Sequence, residues 1–319
     1  MTLNQNFIFP PAPDITKPEP PFPGIDGDLG PLHDFLFDPD KSAQWVGEGF
    51  NCIWRPNSTP QSDHFLELNR TNDGILFERI PGEIPNRGLL QPDIVMFGVS
   101  YLQKISDANI ADPAKSGLHF EPGIWAVVPK TTNPSEIPTV LRMASIPHGT
   151  ALLAQGSAFQ HPGGPVIADN DLFPFPIGQP SNKLISTFQD NLNLSKPDAF
   201  RTPDPLLKGI TQDTVNSPNS LLRAALAGKT VKQTTTLIIA TDSTPVPGGG
   251  VANTAFLQGT AGSGPNADAA VVSATFWIEL IEGAPDFFQL QYTQIVLLNF
   301  AGLSWPHVTV GTLRKEPVV

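Results

Sequence analysis

Trp305-Pro306-His307-Val308-Thr309-Val310-Gly311-Thr312 closes this chain with an alternating run. Successive side chains of an extended strand point to opposite faces. His307, Thr309 and Gly311 therefore share one face, and Val308, Val310 and Thr312 the other. Trp305 falls on the histidine face by the same count. If the strand belongs to a closed barrel, His307 looks inward beside small residues, which leaves room for a flat cofactor. In any other setting it is an ordinary strand histidine near a chain end.

The same alternation recurs upstream. Trp45 to Trp54 puts Trp45, Gly47, Gly49, Asn51 and Ile53 on one side and Val46, Glu48, Phe50, Cys52 and Trp54 on the other. Further strands are expected at 64–69, 74–80, 94–103, 118–128, 139–146 and 150–155. After a break they resume at 230–241, 254–258, 269–282, 286–300 and 304–315. Asn72-Asp73-Gly74, Pro81-Gly82, Pro122-Gly123 and Pro147-His148-Gly149 read as turns between them. With 35 Pro and 27 Gly, the chain favours many turns and short strands over long helices. The fold class expected is all-β: a closed antiparallel barrel of 10–12 strands, since closure removes exposed edges.

Two segments fall outside this rhythm. Residues 1–40 are rich in proline, which removes backbone donors and fixes φ, so they read as an arm. Phe7, Ile8, Phe9, Phe35, Leu36 and Phe37 suggest that the arm packs on the body, a single barrel domain over 41–319. The polar segment 157–230 reads as a long loop and helix insertion, its apolar islands suited to a lid over one barrel mouth. One helix is expected inside it, capped at Asn216 or Ser217, with Pro218 in its first turn, an apolar stripe of Leu221, Leu222, Ala225 and Leu226, and Gly228 at its end. Pro245 to Gly250 and Gly259 to Asn266 read as surface loops.

Composition narrows the function. A net charge of −11 without a Lys/Arg run argues against nucleic acid as partner. No apolar stretch reaches the length of a membrane span. The N-terminus lacks the basic start and apolar run of a secretory signal, and the single cysteine, Cys52, forms no internal disulfide, so a cytoplasmic location is expected. No HExxH zinc motif and no GxSxG elbow are present. Cys52 reads as a small buried thiol.

Three blocks resemble the nitrobindin-type haem-binding β-barrels, a lipocalin-like or fatty-acid-binding-protein-like group. Trp45-Val46-Gly47-Glu48-Gly49 is similar to that family's opening WxGxG strand. Leu118-His119-Phe120-Glu121-Pro122-Gly123-Ile124-Trp125 is similar to its H-x-E-x-G strand, followed by Ile146-Pro147-His148-Gly149-Thr150 and Gln155-Gly156. Tyr292-Thr293-Gln294 and the run from Pro306 to Arg314 look like its closing strands. The chain is longer than a bare barrel of this kind, and 157–230 has no counterpart in the pattern.

The resemblance implies haem b as cofactor and His307 as its iron ligand, with Trp305, Thr309 and Trp125 around it. A neutral imidazole on a five-coordinate iron suits NO, peroxide or peroxynitrite, with isomerase or peroxidase chemistry. His119 and Glu121, two apart on one face, form an acid–base pair or a solvent-side pair. His148 is a distal group or a surface turn residue, and Arg142 adds electrostatic help or lies exposed. The phenylalanines fill a core or wall an apolar cavity. The rival readings are a non-enzymatic carrier of a fatty acid or terpenoid, and a metal-free isomerase using His119 and Glu121. Whether the protein is an enzyme, and whether it forms a homodimer, stay open at this stage.

Overall fold

The computed structural model describes residues 22, 25, 27–38, 41–242, 249–257 and 266–317. Its strands are β1 (Ala43–Thr59), β2 (Ser62–Arg79), β3 (Ile84–Asn86), β4 (Ile94–Asp107), β5 (Gly117–Val128), β6 (Thr139–Ser145) and β7 (Thr150–Pro162). They continue as β8 (Phe175–Pro176), β9 (Val231–Ala240), β10 (Gly250–Asn253), β11 (Asp268–Ile281), β12 (Phe287–Phe300) and β13 (Leu303–Pro317). Ten of them, in the order β1-β2-β4-β5-β6-β7-β9-β11-β12-β13, form an antiparallel ring, and β13 closes it by pairing with β1 from Ala43↔Pro317 to Ile53↔His307. The all-β closed barrel read from the alternation is thus the fold, while β3, β8 and β10 pair outside the ring.

Two expected turns are strand interior instead. Asn72-Asp73-Gly74 lies within the continuous β2, paired with β1 and β4. Pro122-Gly123 lies within β5. Their local chemistry suits a turn, but ladders on both sides hold them extended. Pro147-His148-Gly149 is a turn, with the Gly149 N–H donating to Ile146 O at 2.9 Å. The strand expected at 254–258 is a short 3-10 turn over Ala255–Leu257, and the pairing falls just upstream in β10. Gln258 lies outside the described residues, as do 259–265 and most of the loop from Pro245.

One end of the barrel is filled. A 3-10 turn over Gly30–Phe35 pushes Leu32 and Phe35 into it, both with no exposed surface. The Phe35 ring stacks on Phe77 at 4.3 Å and lies 5.7 Å from Trp125, which meets Phe276 edge-on at 5.1 Å. The Trp45 indole donates to Phe35 O at 2.8 Å, and Lys315 Nζ to Leu36 O at 2.7 Å. Phe35 and Leu36 are buried here, and Phe37 is half-exposed. Phe7, Ile8 and Phe9, with most of the arm, lie outside the described residues.

The segment after β7 carries α1 (Ile185–Phe188), α2 (Gln212–Asn216) and α3 (Asn219–Leu226). β7 runs on to Pro162, so 157–162 are strand and not insertion. The expected helix is α3, ending at Gly228 with φ +75, but its N-cap is Pro218 without a side-chain cap bond. The expected lid is a clasp on the outer wall. Phe188 packs on Trp54 and Trp305, the Trp54 indole donates to Leu172 O at 2.9 Å, and the Leu66 N–H donates to Phe200 O at 2.8 Å. Outward-facing Phe50, Cys52, Trp54, Leu66, Leu68, Val308 and Val310 form one cluster with this segment. The physical reason is area: these strands carry an apolar outer face, and the insertion covers it.

Candidate functional site

The inward faces of the ring carry a polar layer above the aromatic plug. β5 and β6 place Glu121 and Arg142 there, 0% and 2% exposed. The Arg142 guanidinium pairs with Glu121 Oε1, donates to Tyr101 Oη at 2.8 Å and to Gln294 Oε1 at 2.7 Å. Tyr101 Oη donates to the same Glu121 oxygen. Burial alone would raise the Glu121 pKa, but Arg142 and His119 outweigh it and hold the carboxyl at about 2. Arg142, read as an exposed strand residue or an electrostatic helper, is the buried counter-ion that keeps Glu121 ionised.

A second acid lies across the barrel. Asp73 Oδ2 accepts from Tyr292 Oη at 2.5 Å, and both its oxygens accept from Gln103 Nε2 at 3.1–3.2 Å. Burial raises this carboxyl to about 6, and the hydrogen bonds from Tyr292 and Gln103 offset it only in part. The two tyrosines of the chain thus each donate to a buried acid. Each also lies over a glycine on the paired strand. A Cβ at Gly123 would meet the Tyr101 ring at 2.5 Å, and one at Gly311 would meet Tyr292 at 2.5 Å.

Beyond this layer stand three histidines. His119 on β5 shares a 3.0 Å contact between its Nε2 and Glu121 Oε2. His148, exposed on the β6–β7 turn, meets the His119 ring at 5.2 Å nearly at right angles. His307 on β13 has Nε2 3.4 Å from Thr309 Oγ1 and lies within electrostatic reach of both other histidines. Burial, then repulsion from His119 and His148, pushes His307 down to about 3, so its imidazole is neutral near pH 7. Partial burial also lowers His148.

The side chains at this end are less completely covered than those of the plug. Ile105, Ala144, Ile146, Gln294, Val296 and Thr309 keep between 5% and 9% of their surface, and His307 more, although strands surround them. The plug aromatics Phe35, Trp45, Phe77, Trp125 and Phe276 keep between 0% and 3%. Asn51 and Asn69, paired across β1 and β2 on the inward face, each hold a buried amide oxygen without a protein partner. Buried acceptors are normally satisfied, so these two mark space for water or a ligand donor.

Of the residues singled out from sequence, His307, Thr309, His119, Glu121 and His148 meet at this end. Trp125 faces inward but belongs to the plug, beneath Arg142, whose guanidinium lies 5.8 Å from its ring. Trp305 does not line the histidine end. Near the start of β13 it joins the outer cluster, stacked on Phe300 at 4.7 Å and on His64 at 4.9 Å. Sequence reasoning missed Asp73, Tyr101, Gln103, Asn51 and Asn69. The available signal was parity: Asp73 shares its face with Asn69, Ile75 and Phe77, which puts an acid on an otherwise inward row.

Among the described residues no three His, Cys, Asp or Glu side chains are arranged to hold a metal ion. A haem iron needs a single neutral imidazole, and His307 is one. Among the described residues no helix is long and apolar enough to cross a membrane. The chain matches no family model, no curated protein and no solved structure.

Proposed function

We propose that the barrel binds a small molecule within its histidine end, and that this ligand is haem b held through His307. The observation that carries the reading is an inward, neutral imidazole whose Nε2 has a weak 3.4 Å contact with Thr309 Oγ1, beside two buried amide oxygens, of Asn51 and Asn69, that have no protein partner. Iron takes the unprotonated nitrogen of a neutral imidazole, and burial keeps the His307 ring neutral. Ile53, Val296 and Leu298, on the same inward rows as His307, supply apolar wall.

Bound haem would supply an iron with one open position, suited to NO, a peroxide or peroxynitrite. The chain's own part is to position and to move protons. Glu121, fixed by Arg142 and Tyr101, orients His119 through Nε2. His148 stands at the rim, where it can take a proton from water and pass it inward. Peroxidase-type or isomerisation chemistry needs those functions near the reacting oxygen. A metal-free reading rests on the His119–Glu121 contact, a ready acid–base pair for an apolar substrate.

Titration with haem tests the first reading. A one-to-one complex with a Soret band, lost or shifted in His307→Ala, is the expected result. No band, or an unaltered one in the variant, removes His307 as ligand. Native mass spectrometry of the purified chain separates the classes: a haem mass favours the proposal, and a lipid mass favours an apolar-ligand carrier.

A further inference from the structure

A second recess lies outside the barrel, on the opposite side of the wall from the histidines. It has a volume of about 420 Å³, within the usual range for small-molecule sites. Its apolar sides are Phe50 and Val310 from the barrel and Ile210, Leu221, Leu222 and Ala225 from the clasp. Arg70, Lys229 and Arg314 also line it, with Glu48 the acid among its lining residues.

The charges are unevenly matched. Arg70 pairs with Glu48 at 2.7 Å. Lys229 Nζ donates to a neutral amide, Gln289 Oε1 at 2.6 Å. The Arg314 guanidinium lies 4.1 Å from the Phe287 ring centre. Neither Lys229 nor Arg314 has a carboxylate at ion-pair distance among the described residues. The chain has 30 acids for 19 Lys and Arg, so a shortage of acids does not explain this. Partial burial lowers Lys229, Glu279 pulls it back up, and Arg314 lowers it further, which places the two cations within reach of each other. Glu279 sits behind Gln289, which donates to its Oε2 at 2.7 Å. An anion at Lys229 and Arg314 would relieve their mutual repulsion, and the apolar trough beside them would take its tail.

We propose that this groove between α3 and the outer wall of β1 and β13 binds a free long-chain carboxylate, its head on Lys229 and Arg314 and its tail against Leu221, Leu222 and Val310. The proposal does not depend on the reading of the barrel interior.

Calorimetric titration with dodecanoate, below its micelle concentration, tests it. One equivalent should bind, and shortening the acid should weaken binding by about fourfold per methylene. Lys229→Gln/Arg314→Gln alters two exposed side chains and should weaken binding by about tenfold or more. Ala225→Phe fills the trough and should do the same, while His307→Ala should bind as the parent does. Circular dichroism checks that each variant is folded. Absence of dodecanoate binding, equal affinity in the double variant, or loss of binding in His307→Ala overturns the proposal. So does association with anionic phospholipid vesicles without a dodecanoate titration, which would assign the cations to a membrane surface.

Discussion

Replacing Arg142 by Met removes the guanidinium that pairs with Glu121, a carboxylate with no exposed surface. In the fold Glu121 stands at about 2 against its ordinary 4.5. That difference corresponds to about 3 kcal/mol in favour of the folded, ionised state. Without Arg142 the burial cost of the carboxylate remains, and Tyr101 Oη and Gln294 Oε1 lose a donor. Breaking a buried pair from one side costs about 3–5 kcal/mol, which is the loss expected for Arg142→Met. Replacing both partners, as Glu121→Leu with Arg142→Met, should recover most of it, because no unpaired charge is left.

Urea unfolding followed by tryptophan fluorescence measures both variants, with Trp125 beside the network as reporter. The pH dependence adds a sign. In the parent, the Glu121 contribution is present above 4.5 and is lost as pH falls towards 2. In Arg142→Met the folded carboxyl titrates above its unfolded value, so the deficit should shrink as pH is lowered from neutral. A loss below about 1 kcal/mol, or a double variant whose loss equals the sum of its singles, refutes the argument.

Asp73 should behave with the opposite sign. Burial raises it from 3.8 to about 6, so stability is full below 3.8 and falls as pH rises through 6. Asp73→Asn cannot ionise, and its stability relative to the parent should improve by about 3 kcal/mol between acidic and neutral pH. Urea midpoints at the two pH values check this, and a flat difference sinks it. Gly311→Ala places a Cβ 2.5 Å from the Tyr292 ring and should cost about 1–3 kcal/mol by forcing that ring off Asp73. Gly149→Ala, with nothing within 4 Å of its added carbon, is the matched control, and equal melting temperatures for the two variants would contradict the packing argument.

Alternation made the ring legible, because a closed antiparallel wall must send every second residue inward. His307, Thr309, His119 and Glu121 followed from parity and turned out to share one end. Long-range partners were not legible. Asp73 sits in an Asn-Asp-Gly triplet that reads locally as a turn, and its real partner, Tyr292, is 219 residues away. Trp305 obeys parity on paper but leaves the inward row near its strand end, where Phe300, His64 and Trp54 offer an aromatic nest under the clasp. The islands of 157–230 showed that the segment docks. Where it docks depends on which stretch of wall is apolar on its outer face, and that is visible only once the strands are in register.

The polar layer separates the plugged end from the histidine end. A barrel filled by aromatics from one side would let those rings slide into any free space above them, since dispersion is non-directional. Arg142, Glu121, Tyr101, Tyr292, Asp73 and Gln103 are instead tied by directional bonds from β2, β4, β5, β6 and β12. They form a floor that apolar groups cannot cross without stranding a charge. The same floor makes the imidazoles unequal. His119 stands on a carboxylate held ionised by Arg142, whereas His307 has the Thr309 hydroxyl at 3.4 Å and no carboxylate at ion-pair distance among the described residues. His307 is therefore left neutral while His119 is held by a carboxylate, and that division follows from which strand carries Glu121.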